Sequence, residues 1–169
     1  MFWMIFVSIL AALLGLAALI MFISVFVGVP FVPTHKKQAR FMMELTGISP
    51  GMNVIDLGSG AGRLLFLAAA RGASTIGYEL NPFLCWWTRL EARFKKIASQ
   101  VTIKRQSIYD ADVSQADVVL AFLFPEAMKR LGAKLFAEMR PGSLIASYAF
   151  SIPGHEPIKK EQGIFVYQV

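Results

Sequence analysis

Two short apolar runs, each ending in a carboxylate and separated by alternate glycines, constrain this chain more than any other feature. The first run, Met52-Asn53-Val54-Ile55, leads into Asp56-Leu57-Gly58-Ser59-Gly60-Ala61-Gly62-Arg63. A helix-forming run from Leu64 to Ala70 comes next, and Ser74-Thr75-Ile76-Gly77-Tyr78-Glu79 closes the unit. Periodicity and punctuation read as strand, glycine loop, helix, strand. A loop without side chains lets backbone N–H groups and a helix N-terminus approach a ligand closely. Glu79, about 20 residues beyond the first glycine and at the end of the second strand, is placed to accept hydrogen bonds from both hydroxyls of a ribose. The unit predicts a nucleotide-like cofactor.

The spacing narrows the choice. A dinucleotide loop reads G-x-G-x-x-G, and its last glycine lets helix and strand pack closely. Arg63 stands at that place here, so the pyrophosphate reading is weakened, and NAD becomes a minor alternative. No Gly-Lys-Ser/Thr comes after the loop, so a P-loop is weaker still. Glu79 suits either kind of site; the glycine spacing and Asp56 separate them. The pattern Asp-x-Gly-x-Gly-x-Gly resembles motif I of class I S-adenosylmethionine-dependent methyltransferases.

The remaining pattern alternates strands and helices. Lys37 to Thr46 reads as a helix closing at Gly47, Asn53 to Leu57 as strand one, and Arg63 to Arg71 as a helix stopped by Gly72. Asn81 and Pro82 open the next helix, as N-cap and first residue, and it runs to about Ile97. Phe83, Trp87, Leu90, Phe94 and Ile97 share one face, read as core. Arg89, Arg93 and Lys96 share another, read either as a solvated face or as a contact for anionic headgroups with Trp86 at its edge. Further strands are read at 101–104, 116–122, 143–150 and 163–169, with a helix at 125–139. The expected fold is a doubly wound, mostly parallel, Rossmann-like α/β sheet.

Met1 to Val29 carries no charge, Pro30 and Pro33 come after it, and His35-Lys36-Lys37 is next. About 20 apolar residues suffice for a membrane span, and the basic flank places the residues beyond it on the cytoplasmic side. The expectation is therefore a single-pass anchor at 1–29 before a catalytic domain at 30–169. The net charge of +6 suits an anionic membrane or an acidic partner, and nucleic acid is not expected. The single Cys85 excludes an internal disulfide, and no metal-ligand cluster is present, so no metal is predicted.

Taken in order, Pro30-Phe31-Val32-Pro33-Thr34, motif I, Gly77-Tyr78-Glu79-Leu80-Asn81-Pro82, Phe122-Leu123-Phe124-Pro125 and Pro141-Gly142-Ser143 leading to Ser147-Tyr148-Ala149-Phe150 carry a wider resemblance. The chain resembles the membrane-anchored lysine methyltransferases of the ATP synthase c-subunit and their prokaryotic relatives. That resemblance implies S-adenosylmethionine as donor and S-adenosylhomocysteine as product. It implies Asp56, Gly58, Ser59 and Gly60 at the methionine end, Glu79 on the ribose, Asn81 and Ser107 near adenine, and Thr34 over the cofactor. It also implies a lysine acceptor in a membrane protein, with membrane lipid as a second partner. The relatives carry an acidic residue at Ala61 and Asp at Ser107, departures expected to weaken donor binding.

A lysine must lose its proton before attack, from a reference pKa of about 10.4, and an apolar slot lowers that value. Phe122, Phe124 and Tyr148 are candidate lining, with ordinary core packing as the alternative. Glu126 is a candidate to orient the amine or take its proton, or else a first-turn glutamate favoured by the helix dipole. A lipid or quinone acceptor, or a non-catalytic protein on the same fold, are the competing readings.

Overall fold

A computed structural model describes residues 2–27 and 33–169, with side chains in the first helix described only through residue 16. The chain divides into two compact units, Met1–Val32 and Pro33–Val169. The first unit holds helix α1 (Phe2–Val27). Among the described residues no helix is long and apolar enough to cross a membrane. This corrects the expectation of a single-pass anchor and of a membrane location built on it. Pro30-Phe31-Val32, and with them the expected domain boundary, lie outside the described residues.

The second unit runs α2 (Lys36–Leu45), β1 (Asn53–Leu57), α3 (Arg63–Ala69), β2 (Ser74–Glu79), α4 (Pro82–Phe94), β3 (Val101–Arg105), a 3-10 turn at Ile108–Asp110, β4 (Val118–Ala121), α5 (Pro125–Glu138), β5 (Leu144–Tyr148), β6 (Lys159–Glu161) and β7 (Ile164–Gln168). The strands form one sheet in the order β3-β2-β1-β4-β5-β7-β6. Neighbours are parallel from β3 through β5, and β7 runs antiparallel between β5 and β6. The strand order reverses between β1 and β4, and open α/β sheets bind ligands at such a point, beyond the carboxyl ends of the strands.

Both faces of the sheet are covered, so its central strands are apolar at successive positions rather than alternate ones. Ile55, Leu57, Val119, Ala121 and Ile145 pack against Met128, Leu131 and Leu135 of α5. Val54, Val118, Leu120, Ala146 and Val166 pack against Met42 and Met43 of α2 and Leu64 and Ala68 of α3. Each of these side chains is nearly inaccessible, and full burial of one contributes about 1.5–3 kcal/mol.

Helix α4 departs from expectation. It buries Cys85, Thr88 and Ala92, while Phe83, Trp86, Trp87 and Phe94 are exposed at 56, 54, 43 and 78%. The expected core face is the outward face. The seam against β3 and α3 is narrow, and the small side chains let the helix sit close to Leu65 and Ile103. The helix also ends at Phe94 rather than Ile97, because Lys96 turns to a φ of +57°. Strand β6 is an element that periodicity did not disclose, since Lys-Lys-Glu is exposed throughout.

Candidate active site

The glycine loop leaves β1 at its carboxyl end. Gly58, Gly60 and Gly62 have φ values of +80°, +54° and +78°, which glycine adopts without the strain a Cβ brings. The N–H groups of Gly58 and Ser59 both donate to the Tyr78 carbonyl, at 2.9 and 3.1 Å. A Cβ on Gly58 would stand 3.0 Å from Leu123 Cδ2, and one on Gly62 would stand 2.5 Å from Thr88 Cγ2. The loop is therefore held between the segment after β4 and the inner side of α4. Gly77 is needed as a gap, because a Cβ there would meet Leu65 Cδ1 and Ser59 Oγ, each at 2.6 Å.

Glu79 binds this frame together. Its Oε2 accepts from the Gly60 N–H at 2.9 Å, and its Oε1 accepts from the Asn81 N–H at 2.8 Å. An ionised carboxylate has about four lone-pair sites. Two are used by the backbone, and the others remain for a diol. Thr88 Oγ1 donates to the Gly60 carbonyl at 3.2 Å, a support that sequence reasoning missed. A threonine on the buried side of a helix gave no signal of that role.

Asp56 is only 3% exposed and makes no hydrogen bond or ion pair among the described residues. Burial, and next the charge of Glu79, push its carboxyl up to about 8. The buried Ser59 Oγ also lacks a hydrogen-bond partner. A buried carboxyl without a cation, an orphaned hydroxyl and a carboxylate with spare lone pairs fit a positively charged ligand bearing hydroxyls.

The other expected cofactor residues have local duties. Asn81 Oδ1 accepts from the Phe83 and Leu84 N–H groups, at 2.9 and 3.3 Å, and so caps α4. Ser107 Oγ accepts from the Tyr109 N–H at 3.3 Å and caps the 3-10 turn. Thr34 is buried, and its carbonyl accepts from the Arg63 guanidinium, which ties the segment before α2 to the glycine loop. Arg63, absent from the expected set, is thus part of the frame.

On the other side of the switch point, the rings of Phe122 and Tyr148 meet at 4.8 Å between centroids and 57° between planes. Phe124 is 42% exposed, with its ring 6.2 Å from that of Phe150. Glu126 is exposed in the first turn of α5. Leu123, between the two phenylalanines, is the side chain packed against Gly58. Two cavities, of about 360 and 220 Å3, open elsewhere, by Asp117, Arg140 and Gly142 and by Asn53, Lys104 and Asp112. They flank the amino ends of the strands and touch none of these residues, so the chemistry of the residues, not cavity size, locates the site.

Residues 56–159 match the family described as the ANTKMT methyltransferase domain. A protein-lysine N-methyltransferase of Saccharolobus islandicus (strain REY15A) is 32% identical over 140 residues, covering 80% of this chain and 87% of that protein. The lysine N-methyltransferase of the ATP synthase c-subunit from Homo sapiens is 30% identical over 128 residues, covering 76% of this chain but 54% of the human protein. Among solved structures, an RNA methyltransferase from Salinibacter ruber in complex with S-adenosyl-L-homocysteine matches with a TM-score of 0.78 and 30% identity, covering 81% of this chain and 93% of that one.

Proposed function

The chain belongs to the ANTKMT methyltransferase family of S-adenosylmethionine-dependent enzymes, and from that premise we propose that it methylates the ε-amine of a lysine in a membrane-embedded protein. One observation supports the reading: Leu123, the residue between Phe122 and Phe124, packs on Gly58, and the Phe122 ring meets that of Tyr148. The names of the archaeal and human relatives support lysine as acceptor. The substrate named for the human relative and the exposed Phe124 support a membrane-embedded protein.

The donor, when bound, supplies a methyl group already activated by a sulfonium. The protein's share is then mostly positioning. Asp56 and Ser59 receive the charged and polar end, and Glu79 receives the ribose. Asn81 and Ser107 close the adenine side, and Thr34 covers the cofactor. Glu126, exposed at the head of α5, attracts the acceptor as an ammonium and takes its proton as it enters. Phe122 and Tyr148 disfavour the charged amine and so lower its pKa from about 10.4.

The test is transfer from labelled donor to the chain's own membranes, with hydrolysis of the labelled protein. Label recovered as methyl-lysine supports the proposal. Label confined to the lipid extract or to RNA, the acceptor named for the Salinibacter structure, would sink it. Phe122→Ala is expected to lower kcat about tenfold and to move the pH–rate profile to higher pH, with S-adenosylhomocysteine affinity within about twofold of the parent. A matching loss of affinity would show that Phe122 serves the donor instead.

A further inference from the structure

The outward face of α4 carries Phe83, Trp86, Trp87 and Phe94 over its whole length, with half-buried Leu90 among them, and the methyl-transfer reading makes no use of it. Leu80, 59% exposed, extends the patch past the Asn81 cap. Single exposed apolar side chains are ordinary on protein surfaces, but a contiguous aromatic face is not. The rings form one array, with Phe83 and Trp86 at 5.8 Å and Trp86 and Trp87 at 6.5 Å.

Charge decides what covers this face. Arg89, Arg93, Lys95 and Lys96 are exposed along it. Arg93 and Lys96 have no carboxylate partner among the described residues. Glu91, the one acid of the helix, is already committed to Lys95 at 3.3 Å and to Trp87 Nε1 at 3.1 Å. Arg89 donates to the Ile103 carbonyl at 2.7 Å, which holds the positive flank at a fixed place beside the rings. Tryptophan and arginine together suit the headgroup layer, where the ring is half-wet and the cation meets a phosphate. A second copy of the chain would meet the face with the same positive flank.

We propose that α4 is a docking surface for anionic lipid, its aromatic face lying in the headgroup layer and its basic flank on lipid phosphates and carboxylates. The contact is with a surface, not a passage through one. It goes beyond the methyl-transfer reading and does not depend on it.

The test uses the full chain carrying Trp3→Phe, which leaves Trp86 and Trp87 as the only tryptophans. Vesicles of phosphatidylcholine, with and without phosphatidylserine, carry acyl chains brominated near the headgroup. The expected result is a blue-shifted emission, quenched by about half on the anionic vesicles and much less on the neutral ones. Arg93→Gln with Lys96→Gln is expected to weaken anionic binding about 25-fold, near fivefold per charge, with S-adenosylhomocysteine binding unchanged as the control on folding. Unshifted, unquenched tryptophans in the presence of anionic vesicles overturn the proposal. So does quenching that neither phosphatidylserine nor the double substitution alters. A blue shift that grows with protein concentration in the absence of lipid, alongside a dimer in sedimentation, assigns the face to a second copy instead.

Discussion

Glu79→Gln is expected to weaken S-adenosylhomocysteine binding at least 100-fold, measured by calorimetry, and to leave little transferase activity at ordinary donor concentrations. The carboxylate accepts from two backbone N–H groups at once, those of Gly60 and Asn81. Glutamine offers one oxygen and one NH2 in the same space. The NH2 must then face an N–H, which leaves a donor unpaired at a cost of about 1–3 kcal/mol. The same side chain loses lone pairs meant for the ribose hydroxyls. Loss of even one hydrogen bond to a charged group removes about 1.5–3 kcal/mol. Together these effects come to about 2.5–6 kcal/mol, against the roughly 2.7 kcal/mol that a 100-fold change represents. A folded Glu79→Gln protein that binds the product within about fivefold of the parent would refute the assignment.

Asp56→Asn is expected to do two opposite things. Without donor it should stabilise the protein at neutral and alkaline pH. The carboxyl is raised from 3.8 to about 8 by burial and by Glu79, so the folded state holds a proton that the unfolded state has released. Its contribution is fully present below pH 3.8 and is lost as pH rises through about 8. Asparagine, neutral throughout, escapes that loss. The difference at pH 7 is on the order of 4 kcal/mol, or a rise of roughly 8–16 °C in Tm. With donor, the substitution should be damaging. A cationic ligand beside Asp56 favours the carboxylate, so donor binding releases a proton below pH 8. The affinity of the parent should then tighten with rising pH, by up to about tenfold per unit, and level off above about pH 8.5. Asp56→Asn should bind weakly and without that slope. Calorimetry in buffers of different ionisation enthalpy reads the proton directly, and a parent that releases none at pH 7 refutes the account.

The frame around the glycine loop is largely legible in the sequence. Strands β1 and β2 have their expected ends at Leu57 and Glu79, and the Asn81–Pro82 helix start is as expected, because caps, glycines and strand-end carboxylates act through local geometry. The α4 face differs for a physical reason. A helical apolar stripe shows that one side is apolar, not that this chain covers it. The side that is covered, Cys85, Thr88 and Ala92, is too small to stand out in a hydropathy pattern. The bracing of Gly60 and Asn81 by Glu79 is a contact between segments, and the missing partner of Ser59 Oγ is likewise visible only in three dimensions. In the loop pattern Arg63 signals only the lack of a glycine, while in the fold its guanidinium reaches the Thr34 carbonyl.

The strand order has a consequence for the time at which the site comes into being. Asp56, the glycine loop and Glu79 lie in one β-α-β stretch, where the Gly60–Glu79 bond spans only 19 residues of chain. The Phe122–Tyr148 pair needs β4 and β5, and β4 is joined to β1 at a point where Asp117 Oδ2 accepts from the Asn53 N–H across 64 residues. Short closures lose less chain entropy than long ones and form sooner. A chain collapsing from the unfolded state thus gains the glycine loop with its Glu79 brace before the Phe122–Tyr148 pair. A ligand held by that first-formed unit would act on folding as well as on chemistry, drawing the chain toward the native state by mass action.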